Sequence, residues 1–522
     1  MRPDEENVGV GVPTPGSADL DAEKDFERLG RQRPAVLPTW VTEAAFVFSI
    51  VGSMMMSEFF VSGFNIVLPS VATSMHMPDS LRTWPAAVIN LTTACLLMPF
   101  SRLVDQHGGR SVCLGGLVWL IIWSVVSGFS RNPTMLIVCR ALQGLGPGAY
   151  MPACLALLGR IYRPGPRKNF VFCLYGAFAC FGFYLGILIG AATAQYLSWK
   201  WYFWVGAIMC ALVFVAAYFS IPRSMGDVDP AARMDWWGFC TIVPGLTLVV
   251  FAFTDGGHAP QGWKTPYIYV TLILGVLFLA AAVYVQGWVS EQPLLPPELF
   301  TPKYMTRLCL ALFCSYAWFT PLAVGGMFIA VGGGFLLHIL PNRILMLISQ
   351  GGFLISVLLF ALVPSRDEET GSPSLSFIYW AYVFPAMLCG TIGIDTAYNI
   401  TNVYITTAMP HRLQSAAGGV INSLLYLGMA FWLGVGELAV SSTILSQGEE
   451  NVPITKQYRI GFWTGVALSG VGTLLISTVR MGKAKSGLTA DEKAQLEEDR
   501  TAAAAAAAAA AELRGENVHH HT

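Results

Sequence analysis

Charge is scarce in this chain: of 522 residues only 12% are Asp, Glu, Lys or Arg, while 54% are hydrophobic and the mean hydropathy is +0.55. A soluble globular domain carries about 25% charged residues, so the main solvent here is lipid and the expected fold class is an all-α polytopic membrane protein. The 11 cysteines form no CxxC pair and have no His at ligand spacing. That argues against a zinc site or a disulfide framework; lying in apolar runs, they read as small core residues. Basic patches interleaved with aromatics are missing from all but the loops, so nucleic acid is not expected as a partner. There is no nucleophile elbow, no phosphate loop and no carboxylate pair in a polar stretch, and the longest polar stretches are the two tails. The chain therefore reads as a non-enzyme, without cofactor or metal.

What the chain has is long apolar runs. Residues 1–39, rich in Asp, Glu, Pro and Gly, read as a disordered cytoplasmic tail; having no apolar core, they do not read as a signal peptide. Runs long enough to span a membrane follow at about Ala44–Leu68, Trp84–Phe100, Val112–Phe129, Met135–Leu158, Phe170–Tyr196 and Trp201–Ile221. These predict a first six-helix bundle over residues 40–222. Two more runs, Asp235–Thr254 and Tyr267–Trp288, predict a linker with two extra spans over 223–300. A second bundle is expected over 301–480, with runs at about Ile344–Pro364, Phe377–Tyr398, Ala416–Ser441 and Tyr458–Val479. Residues 481–522 read as a cytoplasmic tail whose alanine-rich helix begins at a Thr489/Glu492 capping box.

Charges inside these runs are costly and mark function. Glu58 sits in mid-span, where a carboxylate must be protonated, paired or turned to a water-filled cavity, and this makes it a candidate proton carrier. A carboxylate that only fixes packing is the alternative. Arg140, in CRALQGLGPGAYMPA, lies inside the fourth run with Gln143 beside it and needs a polar or acidic partner. Asp395 and Glu437 are the polar sites of the second half. Gly182, Gly186 and Gly190 recur every four residues on one helix face, a spacing for close helix contact. The loop 159–169 holds Arg160, Arg163, Arg167 and Lys168 and is expected to face the cytoplasm.

Between the second and third runs stands SRLVDQHGGR, Ser101 to Arg110. This stretch resembles the loop signature of the major facilitator superfamily, on Ser101, Asp105, Gly108 and Arg110, with Ser101 in place of the usual first Gly. The CRALQG stretch is similar to that superfamily's fourth-span signature of Arg, two residues, Gln and Gly. Asn65 and Pro69 fall on the first-span pattern of its fourteen-span drug:proton antiporters, although Phe60 occupies the Asp position of that pattern. In the fifth run Ile187 stands where those antiporters carry a Pro. The Asp235–Gly238 opening, DWWG, supports the same branch, and the chain looks like its fungal members.

The resemblance implies two six-helix bundles related by a pseudo-twofold, rocking around a central cavity. It implies a proton-coupled exporter of small amphipathic drugs, toxins or secondary metabolites. Glu58 and Arg140 are then linked to protonation, and Asp105, Gly108 and Arg110 form the cytoplasmic loop latch. Trp84, Asn90, Gln143, Tyr184, Asp395 and Glu437 are the cavity candidates. The expected partners are the bilayer, the proton and a small-molecule substrate. The chain is expected to act as a monomer in the plasma membrane, or alternatively the vacuolar one, with both tails cytoplasmic. A nutrient or siderophore importer of the same fold, or a non-transporting sensor or truncated gene product, are the rival readings.

One stretch resists counting. Leu308–Ile339, about 32 residues, is too long for one ordinary span and too short for two plus a loop. The positive-inside rule favours two crossings, and GFLLHILPNR (Gly334–Arg343) repeats the loop signature in degraded form. The expectation is that part of spans nine and ten is missing near Phe319-Thr320-Pro321; two short, tilted helices meeting at Pro321 are the alternative.

Overall fold

Thr39 starts the first long helix, its hydroxyl accepting from the Thr42 amide at 3.1 Å, and helix follows helix from there. The computed structural model describes residues 28, 31–78, 81–82, 84–223, 231–256, 259, 262–300, 305–315, 342–364, 374–409, 411–448 and 454–479. Among these, every regular element is helical. Eleven helices among the described residues are long and apolar enough to cross a membrane, and the chain is an integral, multi-pass membrane protein.

The first helices are α1 (Trp40–Ser74), α2 (Trp84–His107), α3 (Gly109–Gly128), α4 (Pro133–Gln143), α5 (Leu145–Ile161), α6 (Pro166–Tyr196) and α7 (Trp199–Ser220). Asn132 caps α4 by accepting from the Met135 amide at 2.8 Å, and Pro133 follows in the first turn, where its missing N–H costs nothing. The run read from sequence as one fourth span is two helices, α4 and α5, parted at Gly144. A Cβ there would lie 2.0 Å from Thr92 Oγ1 and 2.7 Å from the Ile89 carbonyl, so only glycine lets α2 come this close. Gly108, the hinge between α2 and α3, has φ 80°, a conformation that favours glycine.

After these come α8 (Trp236–Asp255), α9 (Pro266–Tyr284, prolonged by a wider π turn Val285–Val289), α10 (Met305–Ser315), α11 (Asn342–Ala361), α12 (Phe384–Ala408), α13 (His411–Gln447) and α14 (Ile454–Ser477). Asp235 caps α8 through the Gly238 amide at 2.8 Å. Within the first group α1 packs on α6 and α7, α3 on α5 and α7, and α2 on α4 and α5. In the last group α11 packs on α12 and α14, and α10 on α13 and α14. The groups meet along α2–α13, α5–α13 and α6–α12, and α8 touches both α2 and α13.

The α1–α6 contact is the tightest for a reason visible in its residues. A Cβ on Gly182 would stand 2.2 Å from the Met55 carbonyl, one on Gly186 2.6 Å from the Phe59 carbonyl, and one on Gly190 2.7 Å from the Gly63 carbonyl. Ser62 on α1 also donates to the Phe183 carbonyl at 2.7 Å. Glycine at those three positions lets backbone meet backbone. The region 316–341, which holds the junction near Phe319-Thr320-Pro321, lies outside the described residues. So do the Gly334–His338 part of the repeated loop signature, most of the N-terminal tail before residue 31, and the tail 481–522.

Candidate functional site

Arg140 is wholly buried, and among the described residues no carboxylate pairs with it. Its Nε donates to the Pro85 carbonyl on α2 at 3.0 Å, its Nη2 to the Phe60 carbonyl on α1 at 3.0 Å, and its Nη1 to Gln143 Oε1 at 3.1 Å. The Phe64 ring lies 4.2 Å from the guanidinium carbon. Gln143 in turn donates to Ser124 Oγ on α3 at 2.7 Å. The positive charge is spread over carbonyl dipoles and a ring face. Four helices are tied together by one side chain and its glutamine.

Glu58 lies on the same stretch of α1 but points elsewhere. It is buried, and its Oε1 accepts from the Tyr426 hydroxyl on α13 at 3.0 Å. Its Oε2 is buried with no hydrogen-bond partner among the described residues. The next residue back, Ser57, shares a 2.7 Å hydrogen bond with the Tyr150 hydroxyl on α5. Tyr398 on α12 stacks on Tyr175 of α6, centroids 6.1 Å apart, and its hydroxyl donates to Asn422 Oδ1 of α13 at 3.5 Å. Among the described residues the Tyr175 hydroxyl and both amide atoms of Asn399 are buried without hydrogen-bond partners. Gly176 of α6 makes room for Asn399, since a Cβ there would sit 2.4 Å from Asn399 Oδ1. These residues come from α1, α5 and α6 on one side and α12 and α13 on the other. Together they form a buried polar and aromatic cluster at the junction of the two helix groups. A buried carboxylate oxygen, a phenol and an amide without partners among the described residues each call for an explanation.

The loop residues divide. Asp105, buried, makes a 3.5 Å ion pair with Arg160 at the end of α5. Arg110 does not join it; it donates to the Tyr218 carbonyl at 2.7 Å and to the Ile221 carbonyl, and lies 5.5 Å from the Tyr218 ring. The expected single latch is therefore two contacts, α2 to α5 and α3 to α7, because Gly108 turns the chain between Asp105 and Arg110. Near them Arg167 holds both oxygens of Glu43, Oε1 at 2.8 Å and Oε2 at 2.5 Å, and the Tyr162 hydroxyl donates to Glu43 Oε1 at 3.0 Å. Burial, and then the Glu43 charge, push the Tyr162 phenol well above its usual range, so it stays a donor.

Of the cavity candidates, Gln143 is engaged by Arg140 and Ser124. Asn90 is part-buried, and its buried Oδ1 has no hydrogen-bond partner among the described residues. Trp84 contacts α8: its Nε1 donates to Asp255 Oδ1 at 3.3 Å and its ring meets Phe251 at 5.1 Å. Tyr184 is exposed on α6. Asp395 and Glu437 stand on α12 and α13, and their side chains lie outside the described set. The residues that sequence reading missed are Tyr150, Tyr175, Tyr398, Asn422 and Tyr426. Rings inside apolar runs carry no signal of their own; the faint one is the placement of Asn399 and Asn402 beside Tyr398, and of Asn422 beside Tyr426, inside hydrocarbon.

The sequence pattern of the Major Facilitator Superfamily matches residues 48–433. This chain belongs to the major facilitator superfamily. Among its relatives in that superfamily, the low affinity ammonium transporter of Saccharomyces cerevisiae is 31% identical over 429 residues, covering 76% of this chain and 80% of that protein. The efflux pump terJ of Aspergillus terreus is 27% identical over 507 residues, 91% of this chain and 94% of the pump. The solved proton:xylose symporter XylE superposes with a TM-score of 0.59 at 11% identity, over 87% of this chain and 98% of that one. This likeness fixes the fold as that of major facilitator transporters. The protein is a transporter rather than an enzyme.

Proposed function

We propose that the chain is a proton-coupled secondary transporter that exports small amphipathic molecules, such as drugs, toxins or secondary metabolites, by alternating access. The observation that carries this reading is Glu58: a carboxylate buried at the junction of two helix groups, with one oxygen held by Tyr426 and the other unpartnered. Such a group can take a proton from one side and release it to the other only if the junction opens to each in turn. The efflux-pump relatives support export. In this reading residues 40–222 and 301–480 are the rocking bundles and 223–300 the linker. The Asp105–Arg160 end and both tails face the cytoplasm, the membrane is the plasma membrane, and the unit is the monomer.

A second reading, uptake of a small cation, is favoured by the ammonium-transporting relative and by the Glu58 carboxylate buried near the Tyr426 and Tyr398 rings. Reconstituting the full chain in liposomes and imposing a pH gradient separates the two. Dye extrusion such as that of rhodamine 6G, with matching proton flux, and its loss in Glu58→Gln, is the expected result. Methylammonium uptake without proton flux would replace the first reading with the second. Extrusion that persists in full with Glu58→Gln would remove the carboxylate from the mechanism.

A further inference from the structure

Tyr426 stands 368 positions along the chain from Glu58, and their hydrogen bond, 3.0 Å long and fully buried, joins the first helix to the next-to-last. The titratable groups within electrostatic reach of this carboxylate are Tyr426 of α13 and Tyr398 of α12, while Tyr150 of α5 lies next to Tyr426. Arg140 spends its guanidinium on Pro85, Phe60 and Gln143. Among the described residues no cation pairs with Glu58, and the one side-chain donor to it is a hydroxyl from the opposite helix group.

We propose that Tyr426 is a positioning residue that ties the charge state of Glu58 to closure of the junction between the two helix groups. This rests on the reading of Glu58 as the proton carrier. A hydroxyl bonded to an ionised carboxylate holds roughly twice as strongly as the same hydroxyl bonded to a neutral acid. When a proton reaches Oε2, one O–H bond forms there, Tyr426 keeps its own proton, and the bond from Tyr426 to Oε1 falls to neutral strength. Ionised Glu58 therefore grips α13, and protonated Glu58 loosens it. The contact that changes is one that joins the halves, so the proton acts at the place where closure is decided. Oε2 is the oxygen left free for it.

The test needs no cargo. Infrared difference spectra after a pH jump, taken on the full chain in lipid nanodiscs, should show a carboxyl C=O band that Glu58→Gln abolishes. Tyr426→Phe should shift that band to higher frequency, as a weaker hydrogen bond requires. Because a shift in Tyr426→Phe could accompany a repacked ring, 3-fluorotyrosine at position 426, a stronger donor of nearly the same shape, should move the band in the opposite direction. Opposite shifts support the assignment. A Glu58 band that stays put in both variants, or moves the same way in both, overturns the role of Tyr426 while leaving Glu58 as proton carrier. A spectrum with no titrating band lost in Glu58→Gln overturns the proton reading itself.

Discussion

The Nη2 of Arg140 donates to the carbonyl of Phe60 at 3.0 Å, so α4 holds α1 two residues beyond Glu58. The same guanidinium reaches α2 through Pro85. A lysine keeps the charge but not the planar fork that meets acceptors on different helices. Arg140→Lys is expected to lose about two charge-assisted bonds and to destabilise the protein by about 3 kcal/mol, read as a lowered melting temperature in detergent. An unchanged melting temperature would show that these carbonyls do not hold the arginine.

The α1–α6 contact predicts a contrast between glycines. Gly182→Ala puts a methyl 2.2 Å from the Met55 carbonyl, an overpacking that costs about 1–3 kcal/mol. Gly115 on α3 is exposed, with nothing within 4 Å of where a methyl would stand. Gly115→Ala is expected to be neutral or to stabilise by up to about 1 kcal/mol through helix propensity. Thermal melts of the two variants side by side check this; equal effects would sink the close-approach account.

At Glu43 the two halves of an ion pair are unequally buried, with side-chain exposure of 34% for Arg167 and 10% for Glu43. Removing the arginine strands a buried carboxylate, whereas removing the carboxylate leaves an arginine able to turn to water. Arg167→Gln should therefore cost about 3 kcal/mol and Glu43→Gln clearly less. The reverse order in melting experiments would mean that Tyr162 alone satisfies Glu43.

Asp105 and Arg160 form one pair across α2 and α5. In a double-mutant cycle, Asp105→Asn and Arg160→Gln should be non-additive by about 1–2 kcal/mol. A cycle of Asp105→Asn with Arg110→Gln should add, since Arg110 bonds to α7 carbonyls. Coupling in the second cycle would restore the single latch that the loop's sequence suggests.

How far the chain can be read without its structure depends on what each interaction leaves in the sequence. Apolar runs of membrane length and the four-residue spacing of Gly182, Gly186 and Gly190 are local patterns, and the helices and the α1–α6 contact follow them. The break at Gly144 is hidden, because a glycine inside an apolar run looks like packing. Arg140 can be recognised as buried, but its partners cannot: two are backbone carbonyls, which every residue has. Glu58 is conspicuous by its charge, while Tyr426 is one ring among many and meets it only after most of the chain has folded between them. Trp84, at a helix start, reads as a cavity residue, and its contact with the Asp255 carboxylate, far along the chain, leaves no mark in the sequence around it.

The placement of α8 has a mechanical consequence. It is gripped by α2 through Trp84 and by α13 through the Phe253–Phe431 rings, 4.7 Å apart, and its neighbour α9 buries little of itself in the protein. Any motion that parts α2 from α13 must drag α8 with one of them and sweep α9 through the surrounding acyl chains. If the proposed rocking is the transport step, bilayer viscosity and thickness load its rate through this pair of helices.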